Sequence, residues 1–320
     1  MKSALIAALA LAVAEGAMAQ GGYPGRPVTM VVGFAPGGGT DTVARVIARN
    51  LSESLGQQVL VENKAGAGGN IATEYVARAA PDGHTILLGS VGSLSVAPHV
   101  ISGLPYDPLR DFAPITMAVV FANVLVVQPS LPAQNLAAFV KLAKERPGSV
   151  NYGSAGILSA GHLAGELLAI RAGTEMTHVP YKGGGPAMQG ILGGQVMSVF
   201  STPVSVAAHM KAGKLRALAT TGTRRAALLP EVPTVAESGY PGYEAMNWYA
   251  YLAPAKTPKE IIARLNRELV KALNTPEVAV LLQQQGLEPS PGTPAELARY
   301  MEREYETWGK VVKQAGIKAQ

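Results

Sequence analysis

The sequence predicts an α/β protein with two lobes, each built on a sheet covered by helices, joined by a hinge with a ligand cleft between them. Short apolar runs of strand length alternate with helical periodicity along most of the 320 residues, which is typical of parallel sheets packed between helices. A strand, a loop of small residues and a helix recur as a unit in each half. Two passages rich in proline and glycine, 98–114 and 230–242, separate the halves.

The first 19 residues have the pattern of a secretory signal peptide. Lys2 provides a positive start, residues 4–14 are uninterruptedly apolar, and Ala17-Met18-Ala19 is an A-x-A cleavage site. The apolar stretch is too short to span a bilayer. We therefore expect cleavage near Ala19 and a mature protein outside the cytoplasmic membrane.

The composition excludes several classes of function. The chain contains no Cys, which excludes disulfides, thiolate metal sites and a cysteine nucleophile. Its net charge of +5 is not concentrated in a basic run with interleaved aromatic residues, so we expect no nucleic acid partner. The length favours two domains and a large apolar core.

The first unit of strand, loop and helix lies at 28–56. An apolar run at 28–32 predicts a buried strand, and apolar residues at every fourth position from Val43 to Leu55 predict a helix that Gly56 ends. Between them lies Phe34-Ala35-Pro36-Gly37-Gly38-Gly39-Thr40-Asp41, with Thr40 or Asp41 as the expected N-cap. Three glycines before the unpaired N–H groups of a helix start form an anion site in outline. A tight turn without a ligand is the alternative.

Two more strands, at 59–62 and 85–88, complete a β-α-β-α-β pattern. The helix between them follows a glycine loop at 65–70, and its apolar face consists of Ile71, Tyr75, Val76 and Ala79. In open parallel sheets, ligands bind beyond the carboxyl ends of the strands. The segments that fall there are 37–41, 66–70 and 90–95.

The second half repeats this alternation. Strands are expected at 115–120, 124–127, 150–152, 176–181, 196–200 and 215–221. Helices are expected after Asn135, from Ser159 or Ala160, at 186–192 and at 204–210, with Thr202 between a strand and a helix. The loop 153–156 is a second anion-type loop that faces the first.

The chain is expected to return to the first lobe through an aromatic, extended segment at 243–253. Helices at 258–273 and 276–285 and a last helix from Pro294 then complete that lobe. The predicted limits are 1–19 for the signal peptide, 20–105 and 223–320 for the first domain, and 106–222 for the second.

Tests for enzyme motifs give no catalytic constellation. Gly66-x-Gly68 has Ile71 where a dinucleotide fingerprint needs glycine, and 36–41 lacks the Gly-Lys-Ser/Thr ending of a P-loop. No G-x-S-x-G or H-E-x-x-H occurs. We therefore expect no catalytic residue, metal or cofactor. An exported enzyme that uses Asp41 or His162 on a carboxylate is the less favoured alternative.

The residues resemble a known family, the Bug-type periplasmic substrate-binding proteins of tripartite tricarboxylate transporters. The resemblance covers nearly all of the mature chain, with blocks in the same order. They include Pro36-Gly37-Gly38-Gly39-Thr40-Asp41, Gly66-Ala67-Gly68-Gly69-Asn70-Ile71, Ala80-Pro81-Asp82-Gly83, Asn151-Tyr152-Gly153-Ser154, His162-Leu163-Ala164-Gly165-Glu166 and Pro180-Tyr181-Lys182-Gly183.

The resemblance implies a type II periplasmic-binding-protein fold that closes on a small carboxylate and delivers it to integral membrane permease subunits. One carboxylate end would be held by 36–41 and the other by 154–156. The predicted ligand-binding residues are Pro36, Gly37, Gly38, Gly39, Thr40, Asp41, Ser90, Ser154, Ala155, Gly156 and Thr202. The ligand class stays open among organic, amino and aromatic acids, the protein is expected to be a monomer, and a sensory receptor remains an alternative to a transport receptor.

The sequence departs from the family pattern after Gly156. Ile157 and Leu158 stand where a polar residue and a glycine are common, and Ala160 stands where a hydroxyl residue is frequent. Two apolar side chains beside the second loop would suit an aromatic or longer aliphatic carboxylate. Alternatively, they pack beneath the helix.

Overall fold

The computed structural model describes residues 22–315, so the predicted signal peptide lies outside the described residues. The described strands pair into one sheet of six and one of five. The strands are β1 Val28–Val32, β2 Val59–Asn63, β3 Thr85–Ser90, β4 Phe112–Ala122, β5 Val124–Val127, β6 Asn151–Ser154, β7 Thr177–Pro180, β8 Ser198–Ser201, β9 Arg216–Thr220, β10 Met246–Pro254 and β11 Glu288–Pro289. The helices are α1 Gly39–Leu55, α2 Asn70–Ala77, α3 Ala97–Val100, α4 Leu136–Glu145, α5 Ala160–Ala172, α6 Gly184–Leu192, α7 Pro203–Lys211, α8 Lys259–Leu273, α9 Pro276–Gln283 and α10 Pro294–Ala315.

Each sheet forms one lobe. The first has the strand order β11-β4-β10-β3-β1-β2 and the second β7-β6-β8-β5-β9. In both, the strands that precede glycine-containing loops pair in parallel, β1 with β2 and β3, and β6 with β7 and β8. Their carboxyl ends therefore lie at one edge of each sheet, where the chain turns into helices. The predicted two-lobed α/β architecture is confirmed.

The chain changes lobes at Asn123, which alone separates β4 from β5. This first crossing is later than the predicted limit at 105/106, because the proline-rich passage does not end the first lobe. Pro114 lies within β4, paired with Leu252 on one side, whereas β11 pairs only with Val119 and Val120 on the other. Proline is tolerated where a strand has an open edge, so proline content marked the wrong boundary.

The second crossing is also later than the predicted limit at 222/223. Val235, Tyr243 and Ala245 are buried in an apolar core of the second lobe, and β10 returns the chain to the first sheet from Met246. The predicted extended return segment is present, but the proline- and glycine-rich stretch before it packs on the second lobe. Apolar residues spaced within that stretch supply the burial that holds it there.

Two apolar clusters hold the helices of the first lobe to opposite faces of its sheet. One packs α1 and α8 through residues such as Ile47, Leu51 and Leu265. The other packs α2 and α10 through residues such as Val76 and Trp308. The second lobe has two clusters arranged in the same way on its own sheet. The clusters fix where each helix begins relative to its strand, and so position the loops.

Two local expectations are corrected. Helix α1 begins at Gly39 with Gly38 as N-cap and no side-chain cap, instead of the predicted Thr40 or Asp41. On α2, Ile71 and Tyr75 are 50% and 46% exposed whereas Val76 is buried, so the predicted apolar face is only partly the buried one, which also includes Ala72 and Thr73. The Lys64 ammonium lies 4.0 Å from the Tyr75 ring centroid, a contact that suits an exposed aromatic side chain.

The caps predicted in the second lobe are present. Asn135 accepts a hydrogen bond from the Ala138 N–H at the start of α4, and Ser159 does the same for the His162 N–H at the start of α5. The π-helical turn Gly92–Val96, α3 and β11 had no counterpart in the predictions. None of the helices in the described range 22–315 is long and apolar enough to span a membrane.

Candidate functional site

A pocket lies between the two lobes, and an interface between domains is a preferred position for a small-molecule site. Both lobes and both crossing segments line it. The residues of the first lobe and the crossing segments are Phe34, Gly38, Gly39, Thr40, Ser90, Asn123, Asn247 and Tyr249. Those of the second lobe are Ala155, Ser159, Ala160, Gly161, Gly184, Ala187, Phe200, Ser201 and Thr202. None of these side chains is charged.

The start of α1 forms the wall on the side of the first lobe. Its first turn presents backbone N–H groups that have no intrahelical acceptor. A Cβ on Gly39 would lie 2.9 Å from Thr202 Cγ2 and 3.3 Å from the Tyr249 hydroxyl oxygen. Only glycine lets this helix end come so close to the opposite lobe.

Asp41 in the first turn of α1 is committed to holding its own loop. Its Oδ2 accepts hydrogen bonds from Gly37 N at 3.1 Å and Arg45 Nε at 2.9 Å, and its Oδ1 accepts one from Asn63 Nδ2 at 3.0 Å. Burial raises the pKa of the Asp41 carboxyl, but the hydrogen bonds from Arg45, Asn63 and Gly37 outweigh burial and hold it below its ordinary value. The carboxylate therefore stiffens the loop and does not line the pocket, which weakens the general-base alternative.

The second lobe contributes three helix starts to the pocket. Ser159 caps α5, Gly184 is the first residue of α6, and Thr202 is the N-cap of α7. All three residues line the pocket. The positive ends of four helix dipoles, counting α1, therefore converge on one enclosed space, an arrangement that favours a negatively charged ligand.

The two crossing segments form the base of the pocket. Tyr249 of β10 pairs with Ser90 at the end of β3, and both line the cavity. Burial raises the pKa of the Tyr249 hydroxyl to about 12, although hydrogen bonds with Thr40 and Asn247 oppose the shift. The hydroxyl is thus neutral at pH 7 and lies beside Thr40 at the start of α1 and Asn247 of the crossing strand.

The second loop is inserted into the first lobe. Leu158 is 1% exposed and belongs to an apolar cluster of the first lobe that includes Val91 and Leu94. A Cβ on Gly68 would overlap the Ile157 carbonyl, and a Cβ on Gly92 would overlap the Leu158 carbonyl. The structure is therefore closed at this point, and two glycines of the first lobe make room for the loop.

Ile157 and Leu158 depart from the family pattern, and two roles were predicted for them: contact with the ligand or packing beneath the helix. The structure shows whether these side chains reach the pocket. Neither Ile157 nor Leu158 lines the pocket, and Leu158 packs in a cluster of the first lobe that also contains Leu163 of its own helix. The argument for an aromatic or longer aliphatic ligand from these two side chains therefore loses its basis. Leu158 has a φ of +62°, a conformation that disfavours a bulky side chain, so packing across the cleft must offset local strain.

A buried polar cluster supports the second loop from behind. His162 Nδ1 accepts the Leu158 N–H at 3.0 Å, and the His162 and His178 rings are stacked with centroids 4.1 Å apart. Ser154 Oγ lies 2.6 Å from His178 Nε2, and Tyr152 donates to Glu166 Oε1 at 2.6 Å. Burial lowers the pKa of His162 to about 4 and that of His178 to about 3, with the neighbouring His162 a further cause for His178. Both rings are therefore neutral at pH 7.

The geometry of this cluster in the described residues is not that of a catalytic pair or a metal site. Within residues 22–315, His178 Nδ1 has no hydrogen-bond partner that could orient the ring, and neither Ser154 nor His178 lines the pocket. His162 Nε2 is 3.8 Å from Glu166 Oε1, and no group of three or more His, Asp or Glu in the described range is arranged to hold a metal. A Ser–His pair needs an oriented base and an accessible nucleophile to act in catalysis.

The predicted site residues divide into two groups. Gly38, Gly39, Thr40, Ser90, Ala155 and Thr202 line the pocket. Pro36 and Gly37 are exposed and lie beside Gly185 of the opposite lobe, whereas Asp41, Ser154 and Gly156 point their hydrogen-bonding groups into their own loops. Lys182 is exposed, outside the pocket, and its carbonyl accepts the Ala35 N–H across the cleft at 3.0 Å.

Sequence reasoning missed the residues of the crossing segments and the later helix starts. Asn123 and Asn247 stand at the hinge, where the misplaced lobe boundary concealed them. Ser159 was recognised only as a cap, although a helix cap at the end of a parallel strand is also a binding position. Phe34 and Phe200 lie at the ends of apolar runs of strand length. Their sequence pattern predicts burial in the core and does not indicate a position in a pocket.

Comparison with known proteins agrees with this geometry. Residues 43–317 match the family model described as "Tripartite tricarboxylate transporter family receptor". Protein BugT of Bordetella pertussis is 41% identical over 297 residues, which cover 92% of this chain and 91% of BugT. The solved structure of Rpa4515 of R. palustris with adipate has a TM-score of 0.89 at 38% identity and covers 92% of this chain and 99% of that chain. MatC from Rhodopseudomonas palustris with bound malate has a TM-score of 0.87 at 34% identity and covers 91% of this chain and 100% of that chain.

Proposed function

Because the chain belongs to the tripartite tricarboxylate transporter receptor family, we propose that it is a periplasmic receptor that binds a small carboxylate between its lobes. The receptor delivers this ligand to the membrane subunits of a transporter of that type. The observation that carries the proposal is the convergence of four helix starts, from both lobes, on a pocket lined by uncharged side chains.

Binding at helix starts explains how an anion is held without Arg or Lys. Backbone N–H groups and hydroxyls donate charge-assisted hydrogen bonds to a carboxylate, and the helix dipoles add a favourable field. Donors from α1 on one side and α5 on the other meet one ligand only when the lobes are closed. The ligand therefore shifts the equilibrium between open and closed forms toward the closed form.

The two-sided pocket favours an organic acid with a carboxylate at each end. The structures of two relatives contain adipate and malate, and both of these ligands are dicarboxylates. No Asp or Glu lines the pocket, so the ammonium group of an amino acid would lack a carboxylate partner. We therefore favour organic dicarboxylates over amino acids.

A thermal-shift screen of the mature protein against mono-, di- and tricarboxylates, amino acids and aromatic acids tests the proposal. A ligand that binds only the native state adds about 2.7 kcal/mol of stability at a hundredfold excess over its Kd. We expect one or more dicarboxylates to raise the Tm and to be recovered chemically unchanged, as for a receptor that is not an enzyme. Absence of stabilisation by every carboxylate, or consumption of the ligand, contradicts the proposal.

A pocket variant makes the screen specific to this site. Gly39→Val puts a branched side chain where even a Cβ would crowd Thr202 and Tyr249, so we expect the ligand-induced shift to disappear. Gly25→Ala is the matched control, because a Cβ there meets nothing within 4 Å. A normal shift in Gly39→Val places binding elsewhere.

The partner and the assembly state need separate measurements. We expect a monomer by light scattering at micromolar concentration, and ligand uptake in proteoliposomes only when the receptor and its transporter's membrane subunits are both present. Uptake that does not need the receptor would favour the sensory alternative.

A further inference from the structure

Asn123 occupies the hinge and is fixed there from both sides. It is 2% exposed and connects the last residue of β4 to the first residue of β5. Its N–H donates to Thr221 Oγ1 at 2.9 Å, and its carbonyl accepts the Thr221 N–H at 3.0 Å. Thr221 lies in the second lobe and exchanges two hydrogen bonds with Ala245, the residue before β10, so the backbone of Asn123 is linked through Thr221 to the second connection between the lobes.

The side-chain amide of Asn123 has no such partner. Asn123 lines the pocket, and its Nδ2 is buried without a hydrogen-bond acceptor in the described part of the chain. Buried amide groups in proteins are almost always paired, because an unpaired donor loses its water without compensation. The nearby Asn247 has a structural partner, since its Oδ1 accepts the Trp248 N–H at 2.9 Å.

We propose that Asn123 is a specificity-determining residue of the receptor and that its Nδ2 donates a hydrogen bond to an oxygen on the middle of the ligand. This inference rests on the proposed function. The ligand ends are assigned to the helix starts on either side, and the hinge lies between them. The class of ligand that this arrangement selects is a dicarboxylate with a hydroxyl or keto oxygen on its central carbons.

The position of Asn123 couples recognition to closure. A ligand bonded to Asn123 is attached to the segment about which the lobes turn, whereas the helix starts move with their lobes. A site built to donate a hydrogen bond to a ligand oxygen rejects the analogue that lacks it, because the donor is then left buried and unpaired. We therefore expect the hinge to determine which acid is preferred, and the loops to provide affinity for carboxylates in general.

Calorimetric titration of the mature protein with matched pairs of acids tests the inference. The pairs are malate against succinate and 2-oxoglutarate against glutarate. For at least one pair, we expect wild type to bind the oxygenated acid about tenfold more tightly. Asn123→Ala reduces this preference to about twofold or less, because the oxygenated acid binds more weakly while the plain acid is little affected.

Asn123→Asp separates donation from acceptance by the amide. It keeps the shape of the side chain but replaces the N–H group by a carboxylate oxygen, so it weakens the oxygenated acid at least as much as Asn123→Ala. The added negative charge repels both members of a pair alike, so the preference between them is the test: if the ligand were the donor, Asn123→Asp would keep the preference of wild type for malate over succinate, and the inference would be overturned.

The melting temperature of the ligand-free protein shows whether the Asn123 amide stabilises the fold or serves only to bind the ligand. Removal of an unpaired donor does not destabilise the empty protein, so we expect Asn123→Ala to melt at or above the temperature of wild type. Asn50→Ala is the control, because its amide donates only to the Val46 carbonyl of its own helix, and it leaves the preference within each pair unchanged.

Three further results overturn the inference. They are equal binding of both members of each pair by wild type, an equal loss for both members in Asn123→Ala, and a Tm of empty Asn123→Ala well below that of wild type. Failure of wild type to bind any carboxylate is a different outcome, because it overturns the proposed function itself.

Discussion

The two loops that face each other across the pocket are built alike but held in different ways. Each connects a parallel strand to the start of a helix, α1 in the first lobe and α5 in the second. The first loop is fixed inside its own lobe by the hydrogen bonds that converge on Asp41. The second also has hydrogen bonds within its own lobe, such as that from the Leu158 N–H to His162 Nδ1, but it is in addition anchored by the Leu158 side chain, which is buried in the opposite lobe.

This difference assigns the loops different roles. A loop held by its own lobe keeps its shape whether the cleft is open or closed, so the first loop is ready to receive a ligand. A loop held by the opposite lobe reaches its final position only on closure. Changes to the first loop should therefore act on stability in every state, whereas changes to the contacts of the second should act mainly on the closed state.

The largest effect is expected from Gly92→Ala, which fills the space that the second loop occupies in the first lobe. A Cβ on Gly92 would overlap the Leu158 carbonyl, so the lobes could not meet there. We expect the Kd for the ligand to rise about 100-fold or more, while the Tm of the empty protein stays within about 2 °C of wild type. Calorimetry and thermal unfolding measure the two quantities, with Gly25→Ala as the control; normal affinity in Gly92→Ala would show that closure does not need this contact.

Leu158→Ala is expected to have the next largest effect. Truncation of a buried leucine costs about 2–5 kcal/mol in a protein core. If this cost falls on the closed state, the Kd rises about 10- to 100-fold and the empty protein loses little stability. The exposed Ile170→Ala is the control, since Ile170 is 45% exposed. An equal loss of stability with and without ligand would mean that the insertion persists in the empty protein.

Asp41→Asn, in contrast, is expected to change the stability of the protein and not mainly its affinity for the ligand. Loss of the charge that accepts three hydrogen bonds should lower the free energy of unfolding by about 1–3 kcal/mol with or without ligand. The native pKa of Asp41 lies below its ordinary value, so its contribution is complete above the unfolded pKa of about 3.9 and is lost as pH falls through the native pKa.

Denaturant unfolding of wild type and Asp41→Asn at pH 7 and pH 3 measures this contribution. The difference between the two proteins should shrink at pH 3. The exposed Glu53→Gln is a control without a comparable network. A destabilisation seen only with ligand bound would contradict the view that the first loop is held by its own lobe.

The smallest effect at neutral pH is expected from the buried histidines behind the second loop. Their native pKa values of about 4 and about 3 lie below the unfolded value of about 6.5. Below pH 6.5 the unfolded chain binds protons that the native rings do not, so stability is complete above pH 6.5 and falls as pH drops toward 4. Each histidine contributes a slope of about 1.4 kcal/mol per pH unit in this window.

His178→Gln removes one of these titrating groups, and thermal unfolding between pH 7 and pH 5 measures the change in slope. His178 faces Ser154, His162 and Tyr152, so Gln keeps a polar partner for the Ser154 hydroxyl. We expect a shallower loss of Tm than in wild type. The control is Gly25→Ala, which removes no titrating group and whose Cβ meets nothing within 4 Å; an unchanged slope in His178→Gln would mean that this ring is protonated in the native state.

The sequence predicted most of the architecture because strands, helix caps and glycine loops are local signals. The alternation of elements, the Asn135 and Ser159 caps and the loop before α1 could all be read from neighbouring residues. The lobe boundaries could not, because whether Pro114 interrupts a strand depends on which strand lies beside it.

The candidate site was predictable only in part, for a similar reason. Gly39 and Thr202 could be proposed from the ends of strands and the starts of helices. The role of Leu158 depends on a left-handed backbone and on a cavity in the opposite lobe, and neither is visible in a linear pattern. Asn123 gave no signal because an asparagine between two strands reads as a turn.

The insertion of Leu158 also bears on the rates of ligand exchange. While the Leu158 side chain is buried in the opposite lobe, the cleft is closed and a ligand between the lobes cannot dissociate until it opens. The ligand can therefore remain bound even when its own contacts with the pocket are weak. The dissociation rate then follows the frequency of opening, and the association rate follows encounters with the open form. Substitutions at Leu158 or Gly92 should therefore shorten the residence time of the ligand far more than they lower its association rate.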